Sequence, residues 1–185
     1  SDGCEVWRTD GLTWTTVADG FGDSNCYRIS SLTTFGDSLY AAISNWDSLA
    51  QTTTGGQVWR CTAASLCDEA SDWTQVIADG FGNSQNQINS LRVLGTRLYA
   101  IAENYTTGIE VWKTGDGANW QQVGFGGFGD SNNSDPYWDN SAVVFNNNLF
   151  IGTTNWANGG EIWRSLTPLE VHIGGELKGS YFLAA

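Results

Sequence analysis

The sequence predicts an all-β protein, a small β-propeller of about four blades, and three observations carry that expectation. One unit recurs: GCEVWRTDGLTWTTVADGFGDSN from Gly3, GQVWRCTAASLCDEASDWTQVIADGFGNSQN from Gly56, GIEVWKTGDGANWQQVGFGGFGDSNN from Gly108, and a shorter GEIWRS from Gly160. Its tryptophans Trp7, Trp59, Trp112 and Trp163 stand 52, 53 and 51 residues apart, a period that marks propeller blades or solenoid coils. Inside the unit, SLTTF, LYAAIS, QVWRC and WTQVI recur as SLRVL, LYAIAE, EVWKT and WQQVG. These runs are short, rich in β-branched and aromatic residues, and bounded by Gly, Asp and Asn, as strands are. No segment joins a 3.6-residue period to helix caps, which sets a helical solenoid aside. Four antiparallel strands per unit, here a to d with a lining the central axis, make a blade.

In chain order, residues 1–18 supply strands c and d of the first blade (EVWRT, LTWTTVA). Residues 29–78 form the second blade, 88–125 the third, and 141–165 a fourth that lacks strand d, because LTP follows EIWRS with no DG…W segment. The stretch 169–183, LEVHIGGELKGSYF and its neighbour, aligns with LRVLGTRLYAIAE as two short strands around a Gly-centred turn. It is expected to complete the first blade, either of its own chain, closing a ring, or of a neighbouring copy, giving a head-to-tail filament. The tally falls one strand short of four full blades. An unpaired edge accepts a strand from another chain unless it is short and solvated.

Composition narrows the class. The 185 residues suffice for one domain with a substantial core, and 41% hydrophobic against 15% charged residues rules out a disordered acidic tail. Eight basic residues against 20 acidic ones give a net charge of -12, which disfavours nucleic acid and anionic membrane surfaces and leaves acids available to cations. Ten Trp, 23 Gly, two Pro and no Met accord with short strands, tight turns and rigid aromatic packing. No apolar run approaches the roughly 20 residues of a membrane span, so membrane insertion is not expected. The chain opens at Ser1 without a basic n-region and apolar h-region, and reads as a mature, secreted product, extracellular or at the cell surface.

The cysteines test the topology. In a propeller the b–c and d–a loops emerge on one face and the a–b and c–d loops on the other. Cys4, at the start of strand c, and Cys26, in the d–a loop, share the first face. Cys61, ending strand c, and Cys67, in the c–d insertion, share the second. Four cysteines permit three pairings; the topology selects Cys4–Cys26 with Cys61–Cys67. Paired cysteines imply an oxidising compartment. Zinc is not expected, since no CxxC occurs and His172 is the only histidine.

The c–d hairpins VWRTDGLTW and VWKTGDGANW resemble the Asp-box hairpin of sialidase-type and related propellers. The resemblance implies that Asp and Gly form the turn and Trp locks it. With GFGDSN after strand d, the whole unit is also similar to repeat proteins of bacterial and archaeal surfaces. Sialidase-like catalysis would need convergent arginines, a tyrosine nucleophile and an acid/base carboxylate. Arg8, Arg60, Lys113 and Arg164 instead hold a single repeat position, and no carboxylate pair is singled out.

Two sets of loop residues are candidate sites. The d–a loops ADGFGDSN, ADGFGNSQN and GGFGDSNN combine glycines with hard oxygen ligands, the chemistry calcium requires. Asp19 with Asp23, Asp79 with Asn83, and Asp130 with Asn132 and Asp135 are the candidates. The alternative is that these residues only form Asx turns, with Phe21, Phe81 and Phe128 filling gaps between blades. The b–c loops repeat an Asn-aromatic pair: Asn45-Trp46, Asn104-Tyr105 and Asn155-Trp156. Aromatics beside amides stack on sugars and hydrogen-bond their hydroxyls, or else pack between blades or in a subunit interface. Trp7, Trp59, Trp112, Trp163, Trp14, Trp73 and Trp120 are expected in the core. Asn104 and Asn132 open glycosylation sequons.

Three functional readings follow. The first is a non-enzymatic, self-associating structural subunit of an extracellular filament, sheath or surface layer, its partners copies of itself. The second is a lectin-like, adhesive carbohydrate-binding module, with or without calcium. The third, carried only by the Asp-box resemblance, is a glycosidase.

Overall fold

The computed structural model describes residues 3–134, 141–166 and 182–184, and no α-helix occurs among them. The strands are β1 (Glu5–Thr9), β2 (Trp14–Asp19), β3 (Cys26–Phe35), β4 (Ser38–Asp47), β5 (Thr52–Thr53), β6 (Gln57–Thr62), β7 (Trp73–Ile77) and β8 (Gln87–Leu94). They continue with β9 (Arg97–Glu103), β10 (Glu110–Thr114), β11 (Trp120–Gly124), β12 (Ala142–Phe145), β13 (Asn148–Gly152), β14 (Ile162–Ser165) and β15 (Phe182–Ala184). Four antiparallel sheets result: β1–β2; β3–β4–β6–β7 with β5 on β4; β8–β9–β10–β11; and β12–β13–β14–β15. Neighbours in sequence are neighbours in each sheet, the order of a propeller blade. The chain divides into two compact units, Ser1–Leu91 and Arg92–Ala185.

Short connections set the register. The a–b hairpins turn on two residues: Gly36-Asp37, Gly95-Thr96 and Asn146-Asn147. Asn146 and Asn147 both have positive φ, 47° and 57°, which a type I′ turn requires and asparagine tolerates. Across strands b and c, small residues face large ones. Ala41 lies opposite Trp59 and Ala100 opposite Trp112, so each indole has room to lie on the sheet. Strand d carries a bulge at the same place three times. The register skips Val17, Val76 and Val123 beside Val6/Trp7, Val58/Trp59 and Val111/Trp112. A bulge re-aims one side chain and tightens the twist of the outer strand; Val17 and Val123 are buried.

Each unit has its own core. In the first, Val6, Val17, Phe21, Ile43 and Trp73 pack together; in the second, Ile101, Val111, Val123, Leu149 and Ile151 do so. Cys4 is bonded to Cys26 and Cys61 to Cys67, the pairs that the loop topology selects. The first ties the two-stranded sheet to the first residue of β3. Two disulfides belong to an oxidising environment. Among the described residues no helix is long and apolar enough to cross a membrane.

Two expectations are corrected. Of the stretch 169–183, the described part is Phe182 and Leu183, within β15, and it pairs with β14 through Arg164↔Leu183 and Ser165↔Phe182. It therefore supplies the outer strand of the fourth sheet, rather than completing the first blade; residues 169–181 lie outside the described residues. The free edge of β14, with its row of backbone N–H and C=O groups, is the surface that a strand there satisfies. Trp7 and Trp14, expected in the core, are 49% and 66% exposed, whereas Trp73 is 5%. The first sheet has two described strands, and the cover that Trp59 and Trp73 receive comes from Phe21, on the loop that follows β2.

Candidate functional site

The d–a loops fold identically from one blade to the next. Asp23, Asn83 and Asp130 each accept a hydrogen bond through Oδ1 from the backbone N–H two residues on: Asn25 (2.8 Å), Gln85 (3.0 Å) and Asn132 (2.9 Å). Ahead of them the backbone is strained. Phe21, Phe81 and Phe128 have φ of 47°, 63° and 61°, a left-handed conformation that costs an L-residue about 1–2 kcal/mol. Packing holds them there. The Phe21 ring lies 5.2 Å from that of Trp59 and 5.4 Å, edge-on, from that of Trp73, and Phe128 lies 4.8 Å from Trp163. The loops of Phe21 and Phe128 each set the phenyl ring on the strand-c tryptophan of the following sheet.

The loop acids receive N–H groups. Asp23 Oδ2 accepts from Asn45 Nδ2 and Gln57 Nε2, both at 3.2 Å. Asp130 Oδ2 accepts from Asn155 Nδ2 (2.9 Å) and Asn158 Nδ2 (3.0 Å), and its Oδ1 also from Asn132 Nδ2 (2.8 Å). Asp79 Oδ1 accepts from Gly82 N at 3.0 Å, and Asp19 ends β2, opposite Glu5. Asp135 lies outside the described residues. Among the described residues no three His, Cys, Asp or Glu side chains converge as metal ligands would. The donors around Asp23 and Asp130 turn the positive ends of their dipoles toward the carboxylates, where a cation would have to sit.

These bonds have a pH signature. The backbone N–H of Asn132, then the amides of Asn155, Asn158 and Asn132, hold the Asp130 carboxyl down at about 2. Asp116 is also held well below the usual range, by the Asn119 side chain and the N–H groups of Asn119 and Ala118, and Asp10 by those of Thr13 and Leu12. A depressed carboxyl adds stability above its unfolded pKa, about 4, and loses it as pH falls through the folded value. The denaturation midpoint is therefore expected to drop between about pH 4 and pH 2. Asp130→Asn should make that slope shallower; an unchanged slope would detach Asp130 from it.

The b–c loops separate the members of each Asn-aromatic pair. Asn45, Asn104 and Asn155 are buried, at 0%, 0% and 5% exposed, whereas Trp46, Tyr105 and Trp156 are exposed, at 39%, 56% and 95%. Asn104 Oδ1 accepts from Thr106 N and Thr107 N, and Asn155 Oδ1 from Ala157 N and Asn158 N, all at 2.9–3.0 Å. Their backbone carbonyls accept from Gly108 N and Gly159 N. Gly108 is obligatory: its φ is +84°, and a Cβ there would stand 2.7 Å from Gly127 Cα. In the second blade Asp47 does this work, accepting from Leu49 N and Ala50 N. The amide is thus a buried anchor and the aromatic beside it faces solvent. Inter-blade packing, one alternative for these aromatics, does not describe Trp156. Burial of Asn104 also removes it as a glycan attachment site, since its amide is enclosed and its carbonyl oxygen is engaged; Asn132 is exposed.

One repeated feature escaped the sequence pattern. Two residues before each strand-c tryptophan stands Glu or Gln, and the indole Nε1 donates to it. The pairs are Trp7 to Glu5, Trp59 to Gln57, Trp112 to Glu110 and Trp163 to Glu161, at 2.7–3.2 Å. Glu161 also accepts from Asn133 Nδ2 at 2.9 Å, joining strand c to the preceding loop. The signal was present as [EQ]-[VI]-W, with i and i+2 on one strand face.

No family model and no curated protein matches this chain. Solved structures do. A prolyl endopeptidase is similar over 89% of this chain and 21% of its own, with a TM-score of 0.54 and 12% identity. The Bombyx mori GH32 β-fructofuranosidase is similar over 86% of this chain and 36% of its own, with a TM-score of 0.46 and 10% identity. The chain thus spans about a fifth and about a third of these proteins. At 12% identity the likeness to the prolyl endopeptidase is one of fold, and it agrees with the sheets described above: the fold class is the β-propeller, with four antiparallel sheets as blades.

Proposed function

We propose that this is a secreted, non-catalytic propeller that binds glycan through the exposed aromatics of its b–c loops. One observation carries the reading: Asn104 and Asn155 are spent inside the loop, fixing its backbone, and so present Tyr105 and Trp156 to solvent on a rigid support. A pre-ordered aromatic loses little entropy on binding, and its face suits the C–H groups of a sugar ring. The basic repeat position argues against a convergent catalytic cluster. Arg60, Lys113 and Arg164 lie opposite Tyr40, Tyr99 and Phe150 in three separate sheets, one row per blade. A glycan array should show binding that falls at least tenfold in Trp156→Ala and Tyr105→Ala with melting temperatures unchanged. The N–H groups around Asp23 and Asp130 support binding that persists in EDTA. An array without a hit, or hits indifferent to both substitutions, would remove this reading.

Self-association is the second reading, and its support now comes from the first sheet rather than from the edge of β14, which β15 covers. Trp7 and Trp14 are exposed there, on positions whose counterparts Trp59 and Trp73 carry a phenyl ring. A filament, sheath or surface-layer subunit would bury them against a second copy. Size-exclusion chromatography tests this: a species that stays monomeric at high concentration counts against it.

A further inference from the structure

Within each unit the repeat shows how one sheet meets the next. In strand c the residue before the tryptophan points to the following sheet. Val6 is buried with Ile43, Cys61 and Trp73 of the second sheet, and Val111 with Ala142, Leu149 and Ile151 of the fourth. The tryptophan lies on the other side of the strand and points to the preceding sheet. Trp59 and Trp73 take the ring of Phe21, and Trp163 takes that of Phe128. Each sheet thus has an incoming, tryptophan-bearing face and an outgoing, aliphatic one.

Two of these faces are uncovered, and they are of opposite kind. The register Trp7↔Thr16 and Thr9↔Trp14 puts both indoles of the first sheet on its incoming face, and both are exposed. On the fourth sheet Ile162 holds the repeat position of Val6 and Val111, yet it is 59% exposed where they are buried. The same outgoing face carries Val143, opposite Phe150, which in turn lies opposite Arg164. Phe145 stands two residues along from Val143, its ring 6.4 Å from that of Phe150, and both Val143 and Phe145 are exposed.

A sheet face that meets water is normally polar, and an apolar one marks a docking surface. What fits here is shown by the molecule itself, since an outgoing aliphatic face packs on an incoming tryptophan face in the first unit and again in the second. The charges agree in sign: Arg164 stands on the outgoing face, and Glu5, which accepts from Trp7 Nε1, on the incoming one. We infer that the outgoing face of the fourth sheet docks on the incoming face of the first sheet of a second copy. The interface is heterologous, and it propagates into a ring of several chains or an open filament according to the rotation between copies. The inference rests on the self-association reading and deepens it by naming the two surfaces, with no strand exchanged.

Sedimentation velocity on the full chain tests it. The protein is expected to associate as its concentration rises. Trp14→Lys spoils only the incoming face and Ile162→Lys only the outgoing one. Each should weaken association about tenfold or more at an unchanged melting temperature, because both side chains are exposed. Mixed together, the two variants should recover. The intact outgoing face of the first fits the intact incoming face of the second, giving a dimer with one copy of each that grows no further. Trp7→Thr and Phe145→Lys should repeat the pattern, and they serve if either first substitution unsettles its strand. Association that survives the substitutions, or a mixture that stays monomeric, would overturn the inference while self-association stands. A protein that is monomeric at every concentration would overturn both.

Discussion

Phe21→Ala is expected to destabilise the protein by about 3 kcal/mol, and Phe21→Gly by less. Phe21 is 7% exposed and sits between two indoles, so truncation loses both the transfer energy of the ring and the contacts around the cavity it leaves, about 3–5 kcal/mol for Phe→Ala. Glycine is normally the more damaging replacement, because it gives the unfolded chain more freedom. Here φ is 47°, and an L-residue held in that region bears a penalty of about 1–2 kcal/mol that alanine keeps and glycine escapes. The usual order should therefore reverse, with the glycine variant about 1 kcal/mol the more stable of the two. Guanidinium unfolding followed by tryptophan fluorescence measures both, since Trp59 and Trp73 report on the ring directly. An alanine variant equal to or more stable than the glycine one would show that the backbone at Phe21 is relaxed.

The same residue shows what was legible in the sequence and what was not. Repeat spacing, strand runs and the disulfide pairing could be read because they are properties of short segments and of their order. The stretch before β15 has no counterpart of DG…W, and its likeness to LRVLGTRLYAIAE pointed to the first blade. Alternation gives a strand its faces but not the edge it will join, and three residues, Phe182–Ala184, made that choice. Trp7 and Trp14 read as core because composition does not say what will cover a side chain. Trp59 and Trp73 have the same local sequence logic, and they are covered because Phe21 precedes their sheet. Asn45, Asn104 and Asn155 each precede an aromatic, but that pattern could not divide the buried anchor from the exposed face.

These polar contacts also explain how a chain with a net charge of -12 can bury so many amides. The b–c asparagine of one blade donates to the d–a acid that precedes it, as Asn45 does to Asp23 and Asn155 to Asp130. A buried amide without such a partner would cost about 1–3 kcal/mol. Asp23 with Asn45, and Asp130 with Asn155, are therefore each one device, and substituting either member should be felt at the other.

Removing the Cys4–Cys26 bond by a Cys4→Ser, Cys26→Ser double substitution is expected to destabilise the protein by about 3 kcal/mol. Its sequence separation is 22, against 6 for Cys61–Cys67, and the chain entropy withheld from the unfolded state grows with the loop closed, giving roughly 3 and roughly 2 kcal/mol respectively. Location adds to the difference. In the third blade Ile109 N donates to Asn133 O, and in the second Gly56 N to Asn86 O, so a backbone bond fastens strand c to the loop before the following sheet. Cys4 and Cys26 occupy the same two places in the first blade, where the described sheet has only β1 and β2. A two-stranded sheet is marginal by itself, and the disulfide holds it on the five-stranded sheet that follows. Loss of the bond should thus release β1 and β2 before the rest, seen as early hydrogen exchange at Val6 and Val17 while Ile43 and Val58 stay protected. The Cys61→Ser, Cys67→Ser pair should lose less stability and exchange uniformly. Equal losses in the two variants, or undiminished protection at Val6 and Val17, would show that packing alone secures the first sheet.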